Sequence, residues 1–210
     1  MTVKKYSLLT ILLYVFAFFA PIIAPTQQLN IKMTTFTYLL GAALMFLFYL
    51  FQKEILSFER HKSKIAVTFI IGIIGIFLAI YLQAAIIKIE QSNNIPVQSQ
   101  NTTNIIKIIS KQPFFALAAM VGGPIMEEFV FRRAVVGFFD SFNHPWIGMI
   151  VSSLLFALIH QDGHLLLYFS LGFFFCLLYR KTGRIATSII THVGMNSFVV
   201  LANVILPLFT

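Results

Sequence analysis

The stretch Ile65–Ile89, IAVTFIIGIIGIFLAIYLQAAIIKI, decides the class of fold. Its only charge, Lys88, stands next to its end. A helix rises about 1.5 Å per residue, so the run exceeds the roughly 20 residues needed to cross a bilayer core of about 30 Å. No water is available at that depth, and a helix satisfies its backbone groups internally, so the run reads as a membrane helix. Working outward, comparable apolar runs occupy Ser7–Ala24, Met33–Phe51, Pro113–Phe138, Trp146–His160, Leu165–Tyr179 and Ile185–Leu206. The sequence therefore predicts an all-α, polytopic transmembrane helix bundle of about seven spans. Residues 1–210 form one membrane domain, with N-terminal spans in 1–112 and the polar motifs in a core at 113–206.

Composition agrees. The chain is 59% hydrophobic and 10% charged, with a mean hydropathy of +0.88, where a soluble domain is about a quarter charged. The net charge of +8 does not indicate nucleic acid, because the basic residues fall in short loops between runs rather than on one face. Under this scheme eleven of the 15 Lys and Arg residues share one side. The positive-inside rule then places the N-terminus in the cytoplasm of a multi-pass membrane protein. Lys4 and Lys5 precede a first run expected to stay as a helix rather than be removed as a signal. Cys176 is the single cysteine and lies in an apolar run, which predicts a small buried core residue. The interruption Glu90 to Gln112, rich in Asn, Gln, Ser and Thr, is expected to be an ordinary solvated loop on the outer side.

Against this background, Val121-Gly-Gly-Pro-Ile-Met-Glu-Glu-Phe-Val-Phe-Arg-Arg133 stands out. Glu127 and Glu128 lie inside an otherwise apolar span, where an ionised side chain costs several kcal/mol and marks function. Pro124 removes a backbone hydrogen bond, and Gly122 and Gly123 leave room for another backbone or a substrate. Glu128 and Arg132 are spaced i, i+4 and can pair, while Glu127 points about 100° away and stays free. The plainer alternative is an ion pair at the membrane surface with Arg133 snorkelling to headgroups.

Three more polar groups sit in later spans. His160 ends Phe156-Ala-Leu-Ile-His160, and His192 and Asn196 form an i, i+4 pair in His-Val-Gly-Met-Asn. Taken singly, each reads equally well as interhelical packing glue. Counting from the span ends at about 1.5 Å per residue, Glu127 lies roughly 16 Å deep, His160 about 22 Å and His192 about 12 Å. One site in the middle or cytoplasmic half of the membrane is the expectation. Glu127 with a neutral His160 can take a proton from water, and His192 and Asn196 can donate to the oxygen of a carbonyl under attack. Alternatively Glu127, His160 and His192 are candidate zinc ligands, with a metal-bound water as nucleophile. The His-Glu-x-x-His pattern is absent, which favours glutamate-activated water with no cofactor.

Glu127-Glu128-x-x-x-Arg132, Phe156-x-x-x-His160 and His192-x-x-x-Asn196, in this order on successive membrane segments, resemble the three motifs of the CPBP family. That family comprises type II CAAX prenyl endopeptidases and the bacterial Abi relatives, which include bacteriocin-processing and immunity proteins. The resemblance covers Pro113 to Leu206. It implies an intramembrane endopeptidase with Glu127 as catalytic acid aided by His160, with Glu128 and Arg132 in support and with His192 and Asn196 binding the oxyanion. It leaves glutamate and metal dependence both open. Its substrates would be prenylated CAAX proteins or small peptide precursors. Richness in Ile, Phe, Asn and Lys suggests a low-GC bacterium and therefore a membrane-associated peptide or protein precursor, processed in the cell membrane. A non-proteolytic immunity or scaffold protein, or a small transporter whose acids relay protons, are the competing readings. Transport is disfavoured by the lack of an internal repeat.

Overall fold

A computed structural model describes residues 1–95 and 99–205 of the chain. Among them there are helices and turns and no strand. Helix α1 (Val3–Phe19) starts at Thr2, whose hydroxyl accepts the Lys5 amide at 3.3 Å, and tightens into a 3₁₀ turn at Ala20–Ile23, where Pro21 stops the regular ladder. Helix α2 (Gln27–Leu50) is capped in the same way by Thr26. Helix α3 (Ile65–Ser92) is the long apolar run. Helix α4 (Gln100–Lys111) opens on a Ser99 cap. Helix α5 (115–140) carries the acidic pair, α6 (Pro145–His160) starts on a proline, and α7 (Leu165–Thr182) ends at Gly183 in the left-handed region. A side chain at Gly183 would also press on the Phe58 carbonyl. Helix α8 (Ile185–Ile205) completes the bundle.

By length and composition five helices can cross a membrane: Val3–Ile23, Gln27–Leu50, Ile65–Ser92, Leu165–Thr182 and Ile185–Val204. The expectation of about seven adds two that this criterion does not admit. Helix α6 is apolar but short, and α5 is interrupted and carries three acids and two arginines. Burial divides the bundle. Only 17% of the α2 window is covered, against 44% in α7, so α1 to α3 present their Leu, Ile and Phe side chains outward, as a lipid-facing wall does. The more covered C-terminal helices hold the polar groups.

Contacts sort the connections to two ends. At the basic end, Glu54 accepts the Val3 amide at 2.7 Å and Asp140 accepts the Ser57 amide at 2.6 Å. There too the Ser63 amide donates to Thr182 at 2.8 Å and Arg184 Nε to the Ser63 carbonyl at 2.6 Å. At the opposite end, Glu90 meets His164 at 2.6 Å and Ser99 meets Asp162 at 2.6 Å. The partition is the one the basic residues suggested.

Two expectations are overturned here. Glu90 to Gln112 is not a simple solvated loop: it contains α4, and Glu90 is buried. The Ser99 cap, with Ile105, Ile106 and Ile109 on one side of an otherwise polar helix, was the available signal. Nor does Arg133 snorkel. It is 1% exposed, pairs with Glu59 at 3.3 Å and donates to the Glu54 carbonyl at 3.2 Å. Glu59 also accepts from the Tyr179 hydroxyl at 2.6 Å and the Leu56 amide at 2.8 Å. A buried pair repays its desolvation only when further hydrogen bonds satisfy its lone pairs, and Glu59 has them.

Candidate active site

Helix α5 is not a regular α-helix where the chemistry lies. Residues Ala118–Gly122 and Glu128–Val135 are π-helical, with the Gly123 amide reaching Ala118 and the Val136 amide reaching Phe131. The Pro124 that lacks a donor sits between them. Such widened turns concentrate at functional sites because they turn side chains away from the regular spiral. Gly122 serves close approach, as expected: a Cβ there would lie 3.1 Å from the Tyr38 carbonyl carbon, so the occupant of the gap is the backbone of α2.

The two acids diverge. Glu128 is fully buried, and Glu127 keeps 18% of its side chain exposed. Glu128 Oε1 lies 3.4 Å from Arg132 Nε, the pair the spacing predicted. Arg132 is itself buried, with its guanidinium 4.3 Å from the Phe156 ring centre and 5.1 Å from Phe175. Ring faces thus supply attraction where the guanidinium has no hydrogen-bond partner among the described residues.

The same Glu128 oxygen accepts from His192 Nδ1 at 2.8 Å, a contact between helices that spacing along one helix does not reveal. On its other side, His192 Nε2 is 3.6 Å from Glu127 Oε2. The imidazole is therefore held between two carboxylates, stacked on Phe175 at 4.7 Å and edged by Phe156 at 5.8 Å. A carboxylate facing a guanidinium only accepts, so Nδ1 carries the hydrogen. His192 can donate from Nε2 only when both of its nitrogens are protonated.

His160 is anchored differently. Its Nδ1 donates to the Phe156 carbonyl at 2.7 Å, leaving Nε2 as an acceptor in the neutral ring, and its plane stacks on Tyr168 at 3.8 Å. A cavity of about 540 Å³ gathers His160, His192 and Asn196. Phe156 and Phe175 line it, as do Gln83 and Ile87 of α3 and Thr102, Thr103, Ile106 and Lys107 of α4. Glu127 stands beside it, next to His192. The cavity extends from His192 along α8 to Asn203 and α4, away from the basic loops. His164 and Tyr168, which line the cavity too, carry no motif of their own and were missed.

The zinc candidates do not form a ligand cluster. Among the described residues no three His, Cys, Asp or Glu side chains gather as a metal ion requires. The described donors therefore do not fit a zinc centre.

A family profile described as type II CAAX prenyl endopeptidase Rce1-like matches residues 109–198. The Staphylococcus aureus (strain USA300) protein named membrane-embedded CAAX protease MroQ is 31% identical over 226 residues, covering 96% of this chain and 90% of MroQ. The Bacillus subtilis (strain 168) protein YdiL, named as a membrane peptidase, is 36% identical over 143 residues. That match covers 67% of this chain, and the chain spans 58% of the length of YdiL. The Lactococcus lactis protein YbdI is 30% identical over 112 residues, 52% of this chain and 60% of that protein. No solved structure matches the chain. Apolar helices, a profile match across the polar motifs and a relative aligned nearly end to end lead to one conclusion: this integral membrane protein belongs to the Rce1-like CAAX prenyl endopeptidase family of intramembrane proteases.

Proposed function

We propose that the chain hydrolyses a peptide bond in a membrane-associated peptide or protein precursor, using water activated by Glu127. The observation that carries this reading is His192, fixed between Glu127 and Glu128 on the edge of a cavity that also presents His160 and Asn196. Glu127 is the partly exposed acid and takes the proton from water. His160, with Nε2 open in its neutral form, accepts or relays that proton. His192, in the form with both nitrogens protonated, and the amide of Asn196 donate to the carbonyl oxygen as negative charge builds on it. Glu128 touches no substrate in this scheme. It orients His192 and compensates Arg132.

The mixed lining suits a peptide: aliphatic and aromatic walls take side chains, while Asn196, Asn203 and the Thr residues of α4 meet backbone polar groups. The protein works in a bacterial cell membrane with its N-terminus in the cytoplasm. The experiment is mass spectrometry of membrane peptides from cells carrying the wild-type protein or Glu127→Ala. A precursor that accumulates only in the variant names the substrate. Processing undiminished in Glu127→Ala, Glu127→Gln and His160→Ala removes this mechanism. A protective phenotype that survives Glu127→Ala points to a non-proteolytic immunity protein instead.

A further inference from the structure

His160 is the last residue of α6 and is followed by Gln161 in the left-handed region. A side chain at a helix end has freedom to swing, and one hydrogen bond at Nδ1 fixes a point but not the plane of the ring. The plane is fixed by Tyr168, stacked at 3.8 Å with 22° between rings. Tyr168 is held in turn, since its hydroxyl donates to Asp162 Oδ2 at 2.8 Å. The same carboxylate oxygen accepts from Ser99 Oγ at 2.6 Å, and its other oxygen faces the His164 amide at 3.3 Å. Ser99 is the cap of α4, and α4 forms one wall of the cavity. An unbroken chain of contacts therefore runs from the cavity wall through Ser99, Asp162 and Tyr168 to the imidazole.

We propose that Tyr168 is a positioning residue for His160 and that Asp162 makes this positioning depend on the seating of α4, so that the imidazole is aligned when the cavity wall is docked. Substrate would enter with α4 displaced and the ring loose, and closure over it would restore the stack. Its catalytic consequence rests on the peptidase reading. Its geometry does not, and the test separates the two.

The full-length protein in lipid nanodiscs is treated with diethyl pyrocarbonate, and acylation of each histidine is followed by mass spectrometry. His164 and His192 serve as internal references. Tyr168→Leu, which removes the aromatic plane, should accelerate modification of His160 about fivefold relative to those references, the scale of a lost aromatic contact. Tyr168→Trp, which keeps an aromatic plane without the hydroxyl, should bring the rate back toward that of Tyr168→Phe. Tyr168→Phe and Ser99→Ala should each give a smaller acceleration, and their combination no more than the larger of the two, because both cut the same chain. An unchanged His160 rate in Tyr168→Leu overturns the positioning role, and strictly additive effects in the double variant overturn the dependence on α4. Should Tyr168→Leu unfold, visible as equal acceleration at all three histidines, the Phe and Ala cycle decides alone. With the precursor identified through Glu127→Ala as substrate, Tyr168→Leu should lower kcat about tenfold with KM nearly unchanged, the cost of a misplaced catalytic group. If acylation responds as stated while no precursor is ever processed, the peptidase reading fails and the positioning stands.

Discussion

His192 Nδ1 lies 2.8 Å from Glu128 Oε1, a contact between α8 and α5 that binds the third motif to the first. Through it the buried acid, which the sequence assigns only to Arg132, sets the tautomer and direction of a ring lying 3.6 Å from the second acid. The two adjacent glutamates thus share one histidine and differ in everything else, including burial.

Glu127 and Glu128 should therefore fail differently. Glu127→Gln should abolish precursor cleavage and leave thermal stability in detergent within about 1 kcal/mol, the usual range for a change that strands no charge. Glu128→Gln leaves Arg132 without a counter-charge in the interior and should cost about 3–5 kcal/mol of stability as well as activity. Equal loss of stability in the two variants would contradict this division.

Arg132 should not be replaceable by lysine. The guanidinium carbon lies 4.3 Å from the Phe156 ring centre and 5.1 Å from that of Phe175, and an ammonium on a flexible stem does not reproduce a delocalised planar cation over two rings. Arg132→Lys should lower cleavage about tenfold or more through a displaced Glu128 and His192. Activity assays, with His192 acylation as a second readout, check it.

The Arg133–Glu59 pair predicts a stability effect at the basic end, remote from the cavity. Either Arg133→Met or Glu59→Gln alone should destabilise by about 3–5 kcal/mol, and Arg133→Met with Glu59→Leu should recover most of that loss. Thermal unfolding of the three variants measures it. Single variants as stable as wild type would mean that Arg133 reaches the headgroups after all.

Gly122 faces the α2 backbone at Tyr38 and Leu39, which cannot yield as the end of a side chain can. Gly122→Val should cost about 1–3 kcal/mol by overpacking and should weaken activity by shifting the π-helical turns around the acids. Gly122→Ala should show the same trend at smaller size. Paired unfolding and cleavage measurements check both.

Glutamate-activated water predicts indifference to chelation. The purified active protein should keep full cleavage after strong chelators and carry zinc well below one equivalent by elemental analysis. Loss of activity on chelation with recovery on adding zinc would reverse the assignment.

The sequence by itself determined the membrane class, the approximate place of the long apolar helices though not of α4, the Glu128–Arg132 pairing and the division of basic from non-basic ends. Each of these follows from local quantities: the length of an apolar run, the i, i+4 spacing on one helix and the placement of charges in loops. It also marked Glu127, His160, His192 and Asn196 as polar groups out of place, because the cost of a polar side chain in lipid is visible from composition alone. Only the tertiary structure decided which of them meet. His192 is placed by the packing of α8 against α5, Glu127 comes to 3.6 Å from its other nitrogen, and the stack that orients His160 comes from α7. The turn of α4 over the cavity and the burial of Arg133 against Glu59 depend on residues far apart in the chain, Ser99 with Asp162 and Glu59 with Tyr179. Periodicity carries no information about such pairings, since a helix announces which of its faces is polar but not what that face will touch.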